Sequence, residues 1–436
     1  MSANDMSSDL PLDTSSAVPP LDDESIAPPA ATGGGPVSVP PGWTPSAGVP
    51  QRTLTQKPRW PHPNFWWSIL WCILFMIVTQ IPGAVIAVVV IAALAVLSPE
   101  RFPPGVLSDQ AALMKSEPMG VGVGLVGTLF RLDLEGEGEP TRLIAKLAAP
   151  TDEGRFVATV LNMYGREVGF YTELSPHTPI AHPACYYAAH DPETQDAVLL
   201  LEDVSPRGTA FDQIAGCSLD DARPLIRTLA QLHARFWDDD LITTAPWLLR
   251  LADEPYPSAV AFAYDTAWPV AQQHYPELMT KQVKAFGDAY GARVPALFAK
   301  LCEGPHVLSH ADWRIDNLFV APDGEVIALD WQLIDRSVGP RDLSYLMTQS
   351  VNVSGPDDYR AAFDAYVDDL AEFGVAVDCD WAWEMFRYGT SFAFVYPVVA
   401  AGALEVNDPR HIELCRAMLT RSIAGLAALD AFDLPL

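Results

Sequence analysis

The stretch LSHADWRIDNLFV, residues 308–320, sets His310 two positions before Asp312 and Asn317 five positions after it, between apolar runs that read as strand ends. Thirteen positions past Asn317, EVIALDWQ (325–332) delivers Asp330 at the end of another apolar strand. LFV, the turn Pro322-Asp323-Gly324 and that strand read together as a hairpin, which carries Asp330 back toward Asn317. A carboxylate and a carboxamide placed this way suit magnesium, which takes one or two carboxylates and completes its shell with phosphate oxygens and water. The carboxamide adds a ligand oxygen without adding charge. Asp312 is then left to accept or orient the proton of an attacking hydroxyl. The plain alternative is an aspartate that ends a strand and caps a turn.

His310-Ala311-Asp312 followed by Asn317 has the spacing of a kinase catalytic loop, H-x-D-x-x-x-x-N. Upstream features fall in a matching order. MGVGVGLVGTLF (119–130) holds Gly122-x-Gly124-x-x-Gly127 between extended segments, a context that suits a hairpin folded over nucleotide phosphates. Such a glycine pattern is weak by itself and is equally compatible with simple strand flexibility. Lys146 then ends RLIAK inside an apolar strand, where an unpaired ammonium is costly to bury. Glu167 and Glu173, on different faces of the next expected helical stretch, are the candidate partners.

These residues carry a family resemblance. Through MGVGVGLVGTLFRLDL, LIAKL, REVGFYTEL, LLLEDV, LAQLHARFW, LSHADWRIDNLF, VIALDWQ and GPRDLSYLM, the chain from about Gly105 to Leu436 resembles the aminoglycoside phosphotransferase family of small-molecule kinases. Within it, the likeness is closest to the ecdysteroid-kinase-like, or CHK kinase-like, branch. The resemblance implies an α+β, protein-kinase-like fold with a strand-rich N-lobe (104–204) and a helical C-lobe (205–436). It implies Asp312 as catalytic base, Asn317 and Asp330 as Mg2+ ligands, and Lys146 paired with Glu167 at the phosphates of ATP. It further implies glycine-loop contacts at Gly122, Gly124 and Gly127 and backbone contacts to adenine around Glu202 to Val204.

The same resemblance makes Asp342 a brace of the catalytic loop, His310 an anchor of that loop and His233 a packing residue. Arg314 stands where many protein kinases carry a phosphate-binding lysine, and a solvated arginine is an equal reading. Two positions depart from the relatives. Ala311 replaces the glycine usual before the aspartate, and Trp331 follows Asp330 where protein kinases carry Phe-Gly. Only 12 positions separate Asp330 from Asp342, with no A-P-E, which leaves no room for a protein-kinase activation segment. The expected acceptor is therefore a hydroxyl group of a small molecule rather than a protein. The aromatics of WAWEMFRYGTSFAFVYPVVAAGAL (381–404) either line an apolar acceptor site or, at helical spacing, form core.

Composition bounds the rest. At 436 residues with a formal net charge of −28, the chain is long enough for a two-lobed enzyme, and its charge would repel nucleic acid. That acidity mainly serves solubility, though it is compatible with a cationic substrate. Six cysteines without a C-x-x-C pair indicate neither zinc nor a disulfide framework. Residues 1–60, rich in Pro, Gly, Ser, Ala and Asp, read as a disordered tail.

From Phe65 to Leu97 the chain has no charge, which marks 61–103 as a hydrophobic helical membrane segment. One straight helix of that length would be about 50 Å long against a hydrocarbon core of about 30 Å. Pro82-Gly83 at its middle and Arg52, Lys57 and Arg59 before it favour a hairpin that returns the kinase region to the cytoplasm. The competing functional reading is a membrane-tethered, nucleotide-binding pseudokinase or scaffold.

Overall fold

The computed structural model describes residues 112–119, 127–135, 140–403 and 408–436. The tail at 1–60, the apolar run at 65–97, Gly122 and Gly124 lie outside the described residues. Among the described residues, no helix is long and apolar enough to cross a membrane.

Strands β1 (Ala112–Met119), β2 (Gly127–Glu135), β3 (Arg142–Ala148), β4 (Cys185–Asp191) and β5 (Asp196–Glu202) form one antiparallel sheet in the order β1-β2-β3-β5-β4. The β2–β3 hairpin and β5 lie where the sequence has extended apolar stretches. β1 is the extended segment expected before the glycines, whereas β4 was not expected, and its burial explains why. β4, CYYAAHD, is half-buried at every position, so no apolar period marks it.

Between β3 and β4 lie helices α1 (Asp152–Val160) and α2 (Met163–Gly169), the latter running into a single π turn over Phe170–Leu174. The sequence reads as one helical stretch across 155–174. The structure divides it at Asn162, which takes a left-handed φ of 48° that asparagine tolerates better than most residues. That break turns α2 so that Arg166, Glu167 and Phe170 are buried.

The second lobe is mostly helical. β6 (Thr209–Ala210) leads to α3 (Leu219–Arg235), which opens with a capping box: Ser218 accepts from the Asp221 amide while the Asp221 carboxylate accepts from Ser218. α4 (Tyr256–His274) and α5 (Lys281–Lys300) contain Pro269 and Pro295, signals that argue against helix when read locally. Four short strands follow, β7 (Val307–Ser309), β8 (Leu318–Val320), β9 (Val326–Ala328) and β10 (Asp335–Ser337). β8 and β9 pair as the expected hairpin with β6 alongside, and β7 pairs with β10. Helix α6 (Pro340–Gln349) is buried along its whole length.

α7 (Pro356–Glu372), α8 (Cys379–Ala393), α9 (Val395–Ala403) and α10 (Pro409–Ala428) complete the lobe. The helical segment read at 381–404 is thus two helices, divided at Phe394. Phe386, Phe392 and Phe394 are buried with Phe286, Tyr290 and Phe298, so these aromatics are core rather than the lining of an acceptor pocket.

Asn162→Val should destabilise the protein by about 1–2 kcal/mol, because a β-branched residue resists the left-handed conformation and the Asn162 bond to the Trp247 carbonyl is lost. Urea unfolding measures it.

Candidate active site

Lys146 leaves β3 from the face that meets α2. Its Nζ lies 2.9 Å from Glu167 Oε1 and 2.7 Å from Asp330 Oδ1, so one ammonium is shared by two carboxylates from different lobes. Glu173, the rival partner, is exposed. Gly127 on β2 lies beside this lysine: a Cβ there would stand 3.2 Å from the Leu147 carbonyl and 3.7 Å from Lys146 Cε. Glycine at 127 therefore lets β2 pass close to the Leu147 carbonyl, beside the lysine stem.

Burial disfavours the charged lysine, yet Asp330 and Glu167 outweigh it and raise its pKa. Burial likewise works against the Asp330 carboxylate, and the Lys146 charge and hydrogen bond bring its pKa below the ordinary value. Glu167 goes the other way. Burial, reinforced by the Asp330 charge and opposed by Lys146, pushes it up to about 7.

Asp330 closes β9 with a left-handed φ of 62°. The next residue, Trp331, stacks on Phe170 with ring centroids 3.7 Å apart and planes 7° from parallel. Arg166 Nη1 donates to the carbonyls of Leu333 and Ile334, each at 3.1 Å. Stacking and hydrogen bonds thus fasten α2 to the loop that carries Asp330. Trp331, where protein kinases have Phe-Gly, is part of this fastening.

Asp312 is 7% exposed, and its carboxylate is held from three sides. Oδ2 accepts from Asn317 Nδ2 at 2.8 Å, and Oδ1 accepts from the Tyr345 hydroxyl at 2.7 Å with Arg314 Nε at 3.2 Å. A carboxylate only accepts, so the Asn317 amide nitrogen must face it. The same nitrogen also donates to the Asp312 carbonyl at 3.0 Å, which leaves the carboxamide oxygen on the other branch. Arg314 is engaged with Asp312 rather than simply solvated, and that neighbouring charge raises its pKa.

The loop beneath is braced by Asp342, at the start of α6. Its Oδ1 accepts from Ser309 Oγ (2.6 Å) and the Ala311 amide (3.2 Å), and its Oδ2 accepts from the His310 amide (2.7 Å) and His233 Nε2 (3.3 Å). The Tyr366 hydroxyl donates to His233 Nδ1 at 2.7 Å, so His233 belongs to this buried network as well as to the packing. Burial opposes the Asp342 charge, but the His233 bond and the Arg341 charge bring its pKa far below the carboxylate range. His310 donates from Nε2 to the Leu329 carbonyl at 3.0 Å and accepts the Asp312 amide on Nδ1 at 3.3 Å, an arrangement open only to the neutral ring. Burial lowers its pKa accordingly.

Ala311 has a φ of 64°, which explains why glycine is usual at this point among the proteins that the chain resembles. Its carbonyl accepts from the Tyr396 hydroxyl at 3.0 Å.

The segment expected to meet adenine leaves β5. The Glu202 carboxylate accepts from Arg207 Nη1 at 3.2 Å and the Ala184 amide at 3.1 Å, and the Val204 carbonyl accepts the Arg207 amide at 2.8 Å. That carbonyl is engaged in a local turn. Among the described residues, no cluster of three or more His, Cys, Asp or Glu side chains is built to hold a metal. The Asn317 carbonyl accepts the Leu329 amide at 2.9 Å, which sets Asn317 and the segment that carries Asp330 side by side.

Three contributors escaped the sequence reading: Arg166, Tyr345 and Tyr396. For Tyr345 a signal existed. It lies three residues after Asp342 in a helix, hence on the same face as the brace.

Residues 124–235 match the sequence model of the ecdysteroid kinase-like family. No curated protein sequence matches the chain. Among solved structures, the chain is similar to a macrolide 2'-phosphotransferase from Brachybacterium faecium, at 19% identity and a TM-score of 0.42, covering 75% of this chain and 97% of that one. It is similar to choline kinase from Cryptosporidium parvum, at 11% identity and a TM-score of 0.47, over 77% and 94% of the two chains. An ethanolamine kinase from Plasmodium vivax shows 11% identity and a TM-score of 0.41, over 71% and 81%.

Lys146→Met should cost about 3–5 kcal/mol, since it leaves Glu167 and Asp330 facing one another without their shared cation. Asp342→Asn should cost about 2–4 kcal/mol, because an amide nitrogen cannot accept the bonds that the carboxylate receives. Denaturant unfolding reads both.

Proposed function

We propose that the protein is an ATP- and Mg2+-dependent phosphotransferase that moves the γ-phosphate to a hydroxyl of a small molecule. The observation that carries this reading is the Lys146 ammonium shared by Glu167 and Asp330, with Asp312 and Asn317 hydrogen-bonded on the adjoining loop. The match of residues 124–235 to a kinase-like family supports it.

In this reading Lys146, held by Glu167, binds the phosphates, and the glycine segment at Gly122, Gly124 and Gly127 covers them. The backbone from Glu202 to Val204 meets adenine. Asn317 and Asp330 would hold Mg2+, which supplies charge neutralisation at the transferring phosphoryl group when bound. Binding requires Asp330 Oδ1 to share or release its lysine bond, while Oδ2 meets only Gln332 Nε2 at 3.3 Å. Asp312 accepts the hydrogen bond of the incoming hydroxyl and aims its oxygen at phosphorus. With no room for an activation segment, the acceptor is a small molecule. A lipophilic alcohol fits a membrane location, and a choline- or aminoglycoside-like cation fits the acidic surface.

The full-length protein, incubated with Mg2+-ATP and pooled hydroxylated compounds, should consume ATP in an acceptor-dependent way. Asp312→Asn should slow turnover about 10²-fold or more while leaving nucleotide binding intact. An unaffected rate in that variant removes Asp312 from the role. Nucleotide binding without turnover on any acceptor would favour the pseudokinase or scaffold reading.

The location rests on the sequence alone: residues 65–97 would anchor the chain with the kinase region on the cytoplasmic face. Alkaline extraction of membranes should leave the full-length chain in the pellet and release a variant lacking residues 65–97.

A further inference from the structure

Asp312 has a hydroxyl partner that the reading so far leaves without a task. Tyr345 stands on α6, one turn after the brace Asp342, and is only 3% exposed. Its hydroxyl donates to Asp312 Oδ1 at 2.7 Å, while Asn317 Nδ2 takes Oδ2 at 2.8 Å. Each carboxylate oxygen thus accepts one hydrogen bond, Oδ1 also facing the Arg314 guanidinium as an ion pair at 3.2 Å, and the two hydrogen-bond donors come from different elements. A carboxylate with a donor on one oxygen can pivot about that bond. With donors on both, its plane is set, and the remaining lone pairs point where the loop and α6 dictate.

Tyr345 is itself held. Its ring lies 4.4 Å from that of Tyr396 on α9, and the Tyr396 hydroxyl bonds the carbonyl of Ala311, the residue immediately before Asp312. The two tyrosines thus grip the left-handed turn and the carboxylate that follows it. Burial, together with the negative charge of Asp312, pushes the Tyr345 pKa well above its ordinary value, so its hydroxyl keeps its proton throughout the physiological range.

We propose that Tyr345 is a positioning residue that fixes the Asp312 carboxylate for the acceptor hydroxyl. This rests on the phosphotransferase reading above. The cost of losing it falls on the rate of the chemical step rather than on nucleotide affinity, because Tyr345 touches the aspartate and neither Lys146 nor Asp330 among its recorded hydrogen bonds. The effect runs through Asp312, so it must vanish where the carboxylate is already gone.

The test is a double-mutant cycle on the full-length protein with the best acceptor found in the panel. Tyr345→Phe keeps the ring and its packing and should lower kcat about 10- to 100-fold, with the KM for ATP within about twofold of the parent. 3-Fluorotyrosine at position 345 keeps both ring and hydroxyl and should restore kcat. Added to Asp312→Asn, Tyr345→Phe should have no further effect. An unchanged kcat in Tyr345→Phe beside an inactive Asp312→Asn would overturn the proposal and leave the phosphotransferase reading standing. The same follows if the two losses multiply independently, or if fluorotyrosine fails to restore the rate. Undiminished turnover in Asp312→Asn would sink the role of the aspartate itself, and this inference with it.

Discussion

The arrangement depends on one buried cation. Lys146 arrives from the sheet, Glu167 from α2 and Asp330 from the end of β9, and the three meet within 3 Å of one nitrogen. The Glu167 carboxylate, 3% exposed, would not be tolerated in that burial without the ammonium, and the ammonium would be costly without the two carboxylates, of which Asp330 keeps 28% of its side chain exposed. Each charge is thus the condition for the others. Elements that share no local sequence are brought together by electrostatics that only a completed fold can satisfy. Burial nevertheless pushes the Glu167 carboxyl up to about 7, as one cation cannot fully serve two carboxylates.

Around that centre, the fold relies on fastenings rather than on long secondary structure. The stacking of Trp331 on Phe170 and the Arg166 bonds to two carbonyls join α2 to the loop after Asp330. Asp342 does the corresponding work for the loop that carries Asp312, collecting two backbone amides, a serine hydroxyl and a histidine. A charged acceptor buried this deeply is worth its desolvation because it satisfies several donors at once. It also steadies Ala311 in a conformation that alanine adopts reluctantly.

Much of the site was legible in the chain. Asp312, Asn317 and Asp330 are linked by a short loop and a hairpin, so their spacing already constrains their geometry. The Lys146 strand showed itself as a charge in an apolar run, a conflict that demands a partner. The choice between Glu167 and Glu173 was not legible from spacing, since both sit on the same stretch. It turned on the left-handed break at Asn162 and on which face of α2 the helical lobe covers. Likewise β4 was invisible because a strand half-buried throughout has no alternation, and α4 and α5 were obscured by prolines that their packing accommodates.

The sequence by itself determined the polar groups that must be satisfied and the local loops that present them: a buried lysine, a hairpin ending in an aspartate, a loop with carboxylate and carboxamide five residues apart. Only the tertiary structure decided which distant groups answer them, as with Tyr345 on Asp312, Tyr396 on the Ala311 carbonyl and Arg166 on the carbonyls past Asp330. The physical reason is that hydrogen bonds and ion pairs across 21 to 184 residues of chain leave no periodic trace. Their partners are selected by packing, and packing belongs to the whole fold.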